Sequence, residues 1–331
     1  MRSYLQKRTI CTSLKSESIQ VNIEIFFNLI RFKQMKPQII IFIFIFLVAG
    51  STKAQNITLL AQHEDSLEVL LNKTVQAITD EEKLNSNEHF KDFLKKTIYK
   101  SGAFAYPFEK LRMCKLKSPD ESFRLFNWNI PMKDGSHKYF AYLLFPGDKK
   151  TLPRIVELTE LSDKGSDLTM KTLGKTNWMG ALYYDIIPFK KRNKRNYILL
   201  GWDGNSDVTN KKIIEVMSVN GSKLKFGLPV FKGDKKALRR VVFEYGKDWS
   251  MSVRYDEREK RIVFDHLSPL NPSMKGNLAF YGPDLTFDSY NLKKGNWILH
   301  KNINYDRERN SKDKNFNFPP SREINKPKGQ N

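Results

Sequence analysis

From Phe123 onward the sequence is built of short runs in which apolar residues recur every second position, each closed by turn residues. That period puts alternate side chains on opposite faces of a strand. Phe123-Arg124-Leu125-Phe126-Asn127-Trp128 and Lys138-Tyr139-Phe140-Ala141-Tyr142-Leu143-Leu144 flank a turn containing Asp134-Gly135, which is a hairpin signal. Further strands are expected at 154–161, 179–187, 197–202, 212–219, 239–245, 250–255, 261–265, 277–281 and 297–300. Between them lie turn residues such as Asp203-Gly204, Asn220-Gly221, Gly246-Lys247-Asp248 and Asp256-Glu257. Helical patterns do not alternate with these runs, which disfavours βαβ units and a parallel sheet. The expectation is a mainly β fold: an antiparallel meander over 106–305, forming a curled sheet or sandwich or an irregular propeller-like body. No fixed repeat is visible, and that weakens the propeller.

Residues 55–105 read differently. Leu60, Leu67, Leu70, Leu71, Val75 and Ile78 recur at three- and four-residue steps and form one apolar helical stripe. Thr79-Asp80-Glu81-Glu82 and Asn85-Ser86-Asn87 break it, and a second stripe of Phe90, Phe93, Leu94 and Ile98 runs to Ser101-Gly102. Residues 306–331 lose all periodicity, carry Pro319-Pro320 and Pro327, and read as a disordered basic tail.

Upstream, Met35-Lys36 precede the apolar run Ile39 to Val48, followed by Ser51-Thr52-Lys53-Ala54-Gln55. A short basic start, an apolar centre and a small-residue cleavage site describe a signal peptide over 35–54, cut between Ala54 and Gln55. The run is little more than half of the roughly 20 residues that a spanning helix needs. Residues 1–34 then read as an upstream extension, with Met35 the initiator; starting at Met1 would favour a tethered chain. The expected setting is therefore exported, periplasmic or envelope-associated, with no transmembrane span in the mature chain.

Two bounds follow from composition. The formal net charge is +21, with 57 Lys and Arg against 36 Asp and Glu, and it stays strongly positive without residues 1–54. Such a charge draws polyanions at long range. After the cleavage site only Cys114 remains, so no internal disulfide can form and core packing must supply the stability. Cys114 lies among apolar neighbours and reads as a structural thiol.

Several strings carry a resemblance: Tyr183-Tyr184-Asp185-Ile186-Ile187, Tyr197-Ile198-Leu199-Leu200-Gly201-Trp202-Asp203-Gly204-Asn205, Lys211-Lys212-Ile213-Ile214-Glu215-Val216 and Val263-Phe264-Asp265-His266-Leu267-Ser268-Pro269. Over roughly 110–300 the chain resembles uncharacterised secreted proteins of Bacteroidetes-type bacteria. The resemblance implies an envelope setting and brings no activity, ligand or catalytic residue.

Three constellations are candidates for chemistry. Asp203, Asn205 and Asp207 space oxygen ligands at every second residue, as a Ca²⁺ loop does. Val208 replaces the turn glycine and Ile214 the bidentate Glu, so a polar hairpin turn is the competing reading. Asp265-His266 ends a strand before a Pro-rich loop and offers a metal ligand pair or an acid/base pair. Neighbours in a strand point to opposite faces, however, so the two need not cooperate, and Asp265 is also suited to capping a loop backbone. Histidines in His-x-His or His-x-x-x-His spacing are absent, which disfavours a sequence-local zinc site. Lys190, Lys191, Arg192, Lys194 and Arg195 crowd five cations into an expected hairpin loop, and Lys235, Lys236, Arg239 and Arg240 stand ready to help them hold phosphate or sulfate groups. Stacking aromatics are not interleaved there, so nucleic acid is not the expected partner.

The leading expectation is a non-catalytic binding or structural module for a polyanionic glycan or lipid, or for an envelope protein. The alternative is a hydrolase using Asp203, Asp207, Asp265 and His266, with a divalent cation such as Ca²⁺. Glycine-cradle, nucleophile-elbow and Cys-x-x-Cys motifs, which would name a reaction, are missing.

Overall fold

The computed structural model describes residues 37–147, 151–162, 167–221, 223–233 and 236–305. The expected tail at 306–331 and the extension at 1–34 lie outside the described residues. The chain divides into two compact units: a helical one, up to residue 76 with 84–112, and a β one, from 113 onward with 77–83.

In the helical unit, α1 runs Pro37–Gln76 and α2 runs Asp80–Ile98. The expected cleavage site, Ala54-Gln55, lies inside α1. Among the described residues no helix is long and apolar enough to cross a membrane. Leu60, Leu67 and Leu71 are buried as their spacing predicts, but Val75 and Ile78 are 66 % and 80 % exposed; Ile78 lies beyond the end of α1 at Gln76. The expected break at Asn85-Ser86-Asn87 is corrected: these residues are helical, and Ser86 and Asn87 are buried. Thr79 sets the boundary instead. Its hydroxyl accepts from Glu82 N at 3.1 Å while Glu82 accepts from Thr79 N at 3.1 Å, a reciprocal cap that starts α2.

The β unit is three successive antiparallel meanders. The first sheet joins β1 (Cys114–Lys117), β2 (Arg124–Pro131), β3 (His137–Phe145) and β4 (Arg154–Leu158) in that order. The second joins β5 (Leu182–Lys191), β6 (Lys194–Asp203) and β7 (Thr209–Asn220), with β8 (Lys223–Phe226) and β10 (Arg240–Gly246) both on β7. The third joins β11 (Val253–Asp256), β12 (Arg261–Pro269), β13 (Tyr281–Lys293) and β14 (Asn296–Ile303), with β9 (Phe231–Lys232) added in parallel to β14. The expected strand at 277–281 is a 3₁₀ turn over Leu278–Phe280, and the thirteen-residue β13 that follows has no clear period-two signal.

The middle sheet is buried on both faces. From β6 and β7, Tyr197, Leu199, Ile213 and Met217 pack towards Leu125, Tyr139 and Leu143 of the first sheet and Phe123 just before it. Their alternates Ile198, Leu200, Ile214 and Val216 pack towards Val253, Ile262, Phe264, Tyr290 and Trp297 of the third. This explains why Tyr197-Ile198-Leu199-Leu200 is a continuous apolar run rather than an alternating one. Buried polar side chains pin the layers in register: Asn127 of β2 donates to Phe140 O at 2.9 Å and accepts from Tyr183 N of β5 at 2.7 Å.

Cys114 opens β1 and is half-buried, and burial pushes its thiol up. It is a poor thiolate there, in line with a structural role.

Candidate functional site

The basic run folds into the tip of the β5–β6 hairpin. Lys191 pairs with Lys194, leaving Arg192 and Asn193 as a two-residue turn with φ of 48° and 60°. Positive φ at both positions gives a turn whose twist matches the flanking strands. Two of the five cations are committed to structure. Lys191 Nζ donates to Pro229 O at 3.0 Å and to Asn296 Oδ1 at 3.2 Å, and burial followed by the charges of Arg192 and Lys232 lowers its pKa. Arg195 forms an ion pair with Asp120, which also accepts from Tyr197 Oη at 2.8 Å and Ser122 Oγ at 2.9 Å. Partial burial pushes the Asp120 carboxyl up, but hydrogen bonds from Tyr197, Ser118 and Ser122 outweigh it and hold the group at about 2.

The remaining cations gain company that spacing alone does not reveal. The β13–β14 turn, Lys294-Gly295, sits against this hairpin so closely that a Cβ on Gly295 would lie 3.0 Å from Lys190 O and from Lys191 Cα. Gly295 has φ +74°, so it serves both the turn and the close approach. Lys232 of β9 faces the same end, since β9 pairs with β14. Lys190, Arg192, Lys194, Lys232, Lys293 and Lys294 are all exposed there. The helpers expected from sequence behave differently. Lys236 is exposed, Arg239 is half-buried, and Lys235 lies outside the described residues. Arg240 is fully buried, which removes it from any anion site.

Arg240 belongs to a buried chain that sequence reasoning missed. Its Nε donates to Glu215 Oε1 at 2.6 Å, Tyr183 Oη donates to Glu215 Oε2 at 2.6 Å, and Trp178 Nε1 donates to Tyr183 Oη at 2.8 Å. Arg240 Nη1 also donates to the carbonyls of Leu168 and Lys171. Burial, then the Glu215 charge, drives the Tyr183 phenol far above its ordinary range, so it stays protonated and donates. A usable signal exists: Glu215 is a lone carboxylate in the run Ile213-Ile214-Glu215-Val216-Met217, where both strand faces are apolar.

The Asp203–Asp207 turn is tied by its own chain. Asp203 is buried, and its Oδ1 accepts from Tyr139 Oη and from Asn205 N, each at 2.9 Å. Asn205 Oδ1 accepts from Lys211 Nζ at 2.7 Å, and Lys247 Nζ donates to Ser206 O at 2.8 Å. Two ammonium groups thus answer oxygens that a bound cation would use. Asp207 lies apart from the other two, against Gly135 of the β2–β3 turn, where a Cβ would meet its carboxylate.

Asp265 and His266 do not cooperate. Asp265 Oδ2 accepts from Ser252 N at 2.7 Å, the backbone-capping role; burial raises its pKa against the pull of Arg254 and Lys212. A β-bulge between Asp265 and Leu267 turns His266 elsewhere, to Asp288 Oδ2 at 3.0 Å from Nδ1. The four residues of the hydrolase reading are therefore held by different parts of the fold. Among the described residues, no group of three or more His, Cys, Asp or Glu side chains is placed to hold a metal ion.

Comparison with protein-family models, with curated proteins and with solved structures finds no match to this chain.

Proposed function

We propose that the protein is an exported, envelope-associated β module that binds a polyanionic glycan or lipid through the basic end of its second and third sheets. One observation carries the reading. Two hairpin tips distant in sequence, at 190–195 and 293–296, are packed together with Lys232 so that their exposed cations share one surface. Like charges repel, and gathering them at one place lowers stability unless an anion is met there. The anion already at this end, Asp120, is occupied by Arg195. The signal-like segment at 35–54 supports the export half of the proposal.

The test is heparin affinity of the purified chain as a function of salt, compared with the triple substitution Lys190→Gln, Arg192→Gln and Lys194→Gln. These positions are exposed, whereas Lys191 and Arg195 hold neighbouring loops and are left intact. Binding should weaken steeply with salt in the parent, as it does when cations displace condensed counterions. The triple variant should lose at least tenfold in affinity and show a shallower salt slope. Equal affinity and slope in the two proteins would refute the proposal.

A further inference from the structure

The basic end is wider than its two hairpin tips. β6 and β7 are antiparallel, so the start of β6 at Lys194 and the end of β7 at Asn220 lie at the same end of the second sheet, and the β7–β8 turn emerges beside the β5–β6 turn. In β8, Leu224 and Phe226 turn into the first core, which sends Lys223 and Lys225 to the opposite, exposed side. Three exposed cationic groups therefore follow one another. They are Lys223 and Lys225 on β8, the tip at 190–194, and Lys232 with Lys293 and Lys294 on the third sheet. Two strand spacings separate β8 from β6 across β7, and one sheet spacing separates the second sheet from the third. At about 4.8 Å and about 10 Å respectively, the three groups cover about 20 Å.

These groups are also fixed relative to one another. Lys191 Nζ ties the 190–194 tip to Pro229 O, just ahead of β9, and to Asn296 at the start of β14. Arg195 ties it to Asp120, ahead of β2. At the β8 end, Arg154 Nη2 donates to Gly221 O at 3.3 Å while its guanidinium lies over the Phe145 ring at 4.0 Å, which braces the β7–β8 turn from the first sheet. A ligand that matches this spacing binds without first ordering the loops. One phosphate or sulfate reaches one group, whereas a chain bearing anions at intervals reaches all three. Rings that could stack nucleic-acid bases are turned inward: Phe189, Tyr197, Phe231 and Trp297 are at most 4 % exposed. Resting on the polyanion reading above, we infer that the ligand is a linear anionic glycan, sulfated or carboxylated, laid across the ends of the second and third sheets from Lys223 to Lys232. Anions linked in one chain engage the second and third groups intramolecularly, so affinity grows with chain length until the span is covered.

Calorimetric titration of the full chain with size-graded heparin oligosaccharides at fixed salt tests this, with thermal melting run on every variant to confirm folding. From tetrasaccharide to dodecasaccharide the affinity should rise by about a hundredfold and then level off. Lys223→Gln with Lys225→Gln, and separately Lys293→Gln with Lys294→Gln, should each lose at least fivefold towards the dodecasaccharide. Towards the tetrasaccharide each should lose less than twofold, because the two remaining groups still serve a short chain. A flat length series in a parent that binds polymeric heparin would overturn the inference and leave the polyanion reading standing. A parent that binds no heparin would overturn both. Vesicles of phosphatidylcholine with phosphatidylglycerol, or an oligo-dT of equal charge, binding as tightly as the dodecasaccharide would overturn the glycan assignment in favour of headgroups or nucleic acid.

Discussion

Removing the Glu215 carboxylate should cost the β unit a large part of its stability. Glu215 and Arg240 are both 0 % exposed and meet at 2.6 Å, so Glu215→Ala leaves a guanidinium in the core with no counter-charge. Breaking a buried pair from one side costs about 3–5 kcal/mol. The Tyr183 hydroxyl loses its acceptor as well, which adds about 1 kcal/mol. The sum, about 4–6 kcal/mol, rivals the whole stability of a small domain, about 5–15 kcal/mol. Glu215→Gln keeps the shape but leaves one acceptor oxygen for the two donors, Arg240 Nε and Tyr183 Oη, while removing the charge, and should cost about 2–3 kcal/mol. The pair itself is not strongly stabilising, because Arg240 Nη2 is buried with no acceptor among the described residues. The double substitution Glu215→Leu with Arg240→Met should therefore recover most of the loss. Guanidinium unfolding followed by tryptophan fluorescence is a clean assay, since all five tryptophans (128, 178, 202, 249 and 297) lie in the β unit. A cost below about 1 kcal/mol for Glu215→Ala, or a double variant no better than the single ones, would refute the reasoning about uncompensated charge.

Asp120 makes the basic end sensitive to acid. Its folded pKa of about 2 lies below the ordinary 3.8, so its contribution is complete above that ordinary value and is lost as pH falls towards 2. After allowance for solvent screening this is about 1 kcal/mol, and Asp120→Asn should flatten the melting profile between pH 4 and pH 2 by that amount. Two glycines around Trp249 should differ in tolerance. A Cβ on Gly246 would lie 2.1 Å from the Ala279 carbonyl oxygen, whereas one on Gly282 would lie 2.5 Å from the Trp249 ring. Backbone cannot move aside and a 42 % exposed ring can, so Gly246→Ala should be the more destabilising in denaturant unfolding, by about 1–3 kcal/mol. Gly282→Ala should mainly shift the Trp249 emission to the red; the reverse ranking would contradict the packing.

What the sequence reveals and what it hides divide along a physical line. The meander was legible because local forces write it: Asp134-Gly135 between alternating runs predicts the β2–β3 hairpin, and the observed pairing of Trp128 with Phe140 bears it out. Tyr197-Ile198-Leu199-Leu200 was recognisable as a strand, but its two buried faces became apparent only when cores on both sides were assembled. Asn85-Ser86-Asn87 looked like a break because local propensity disfavours those residues in helices; tertiary burial of Ser86 and Asn87 overrides that preference. The candidate sites fail to show for a stronger reason. Glu215 meets Arg240 across a register between β7 and β10, and His266 meets Asp284 and Asp288 where the pairing of β12 with β13 slips by two residues between Asp265 and Leu267. A bulge breaks the very period on which strand reading depends, so a sheet places its most unusual side chains where alternation is least readable. The adjacent pair Asp265-His266 illustrates the consequence: proximity in sequence suggested a partnership, and the bulge between Asp265 and Leu267 sends one side chain to a backbone amide and the other to two distant carboxylates.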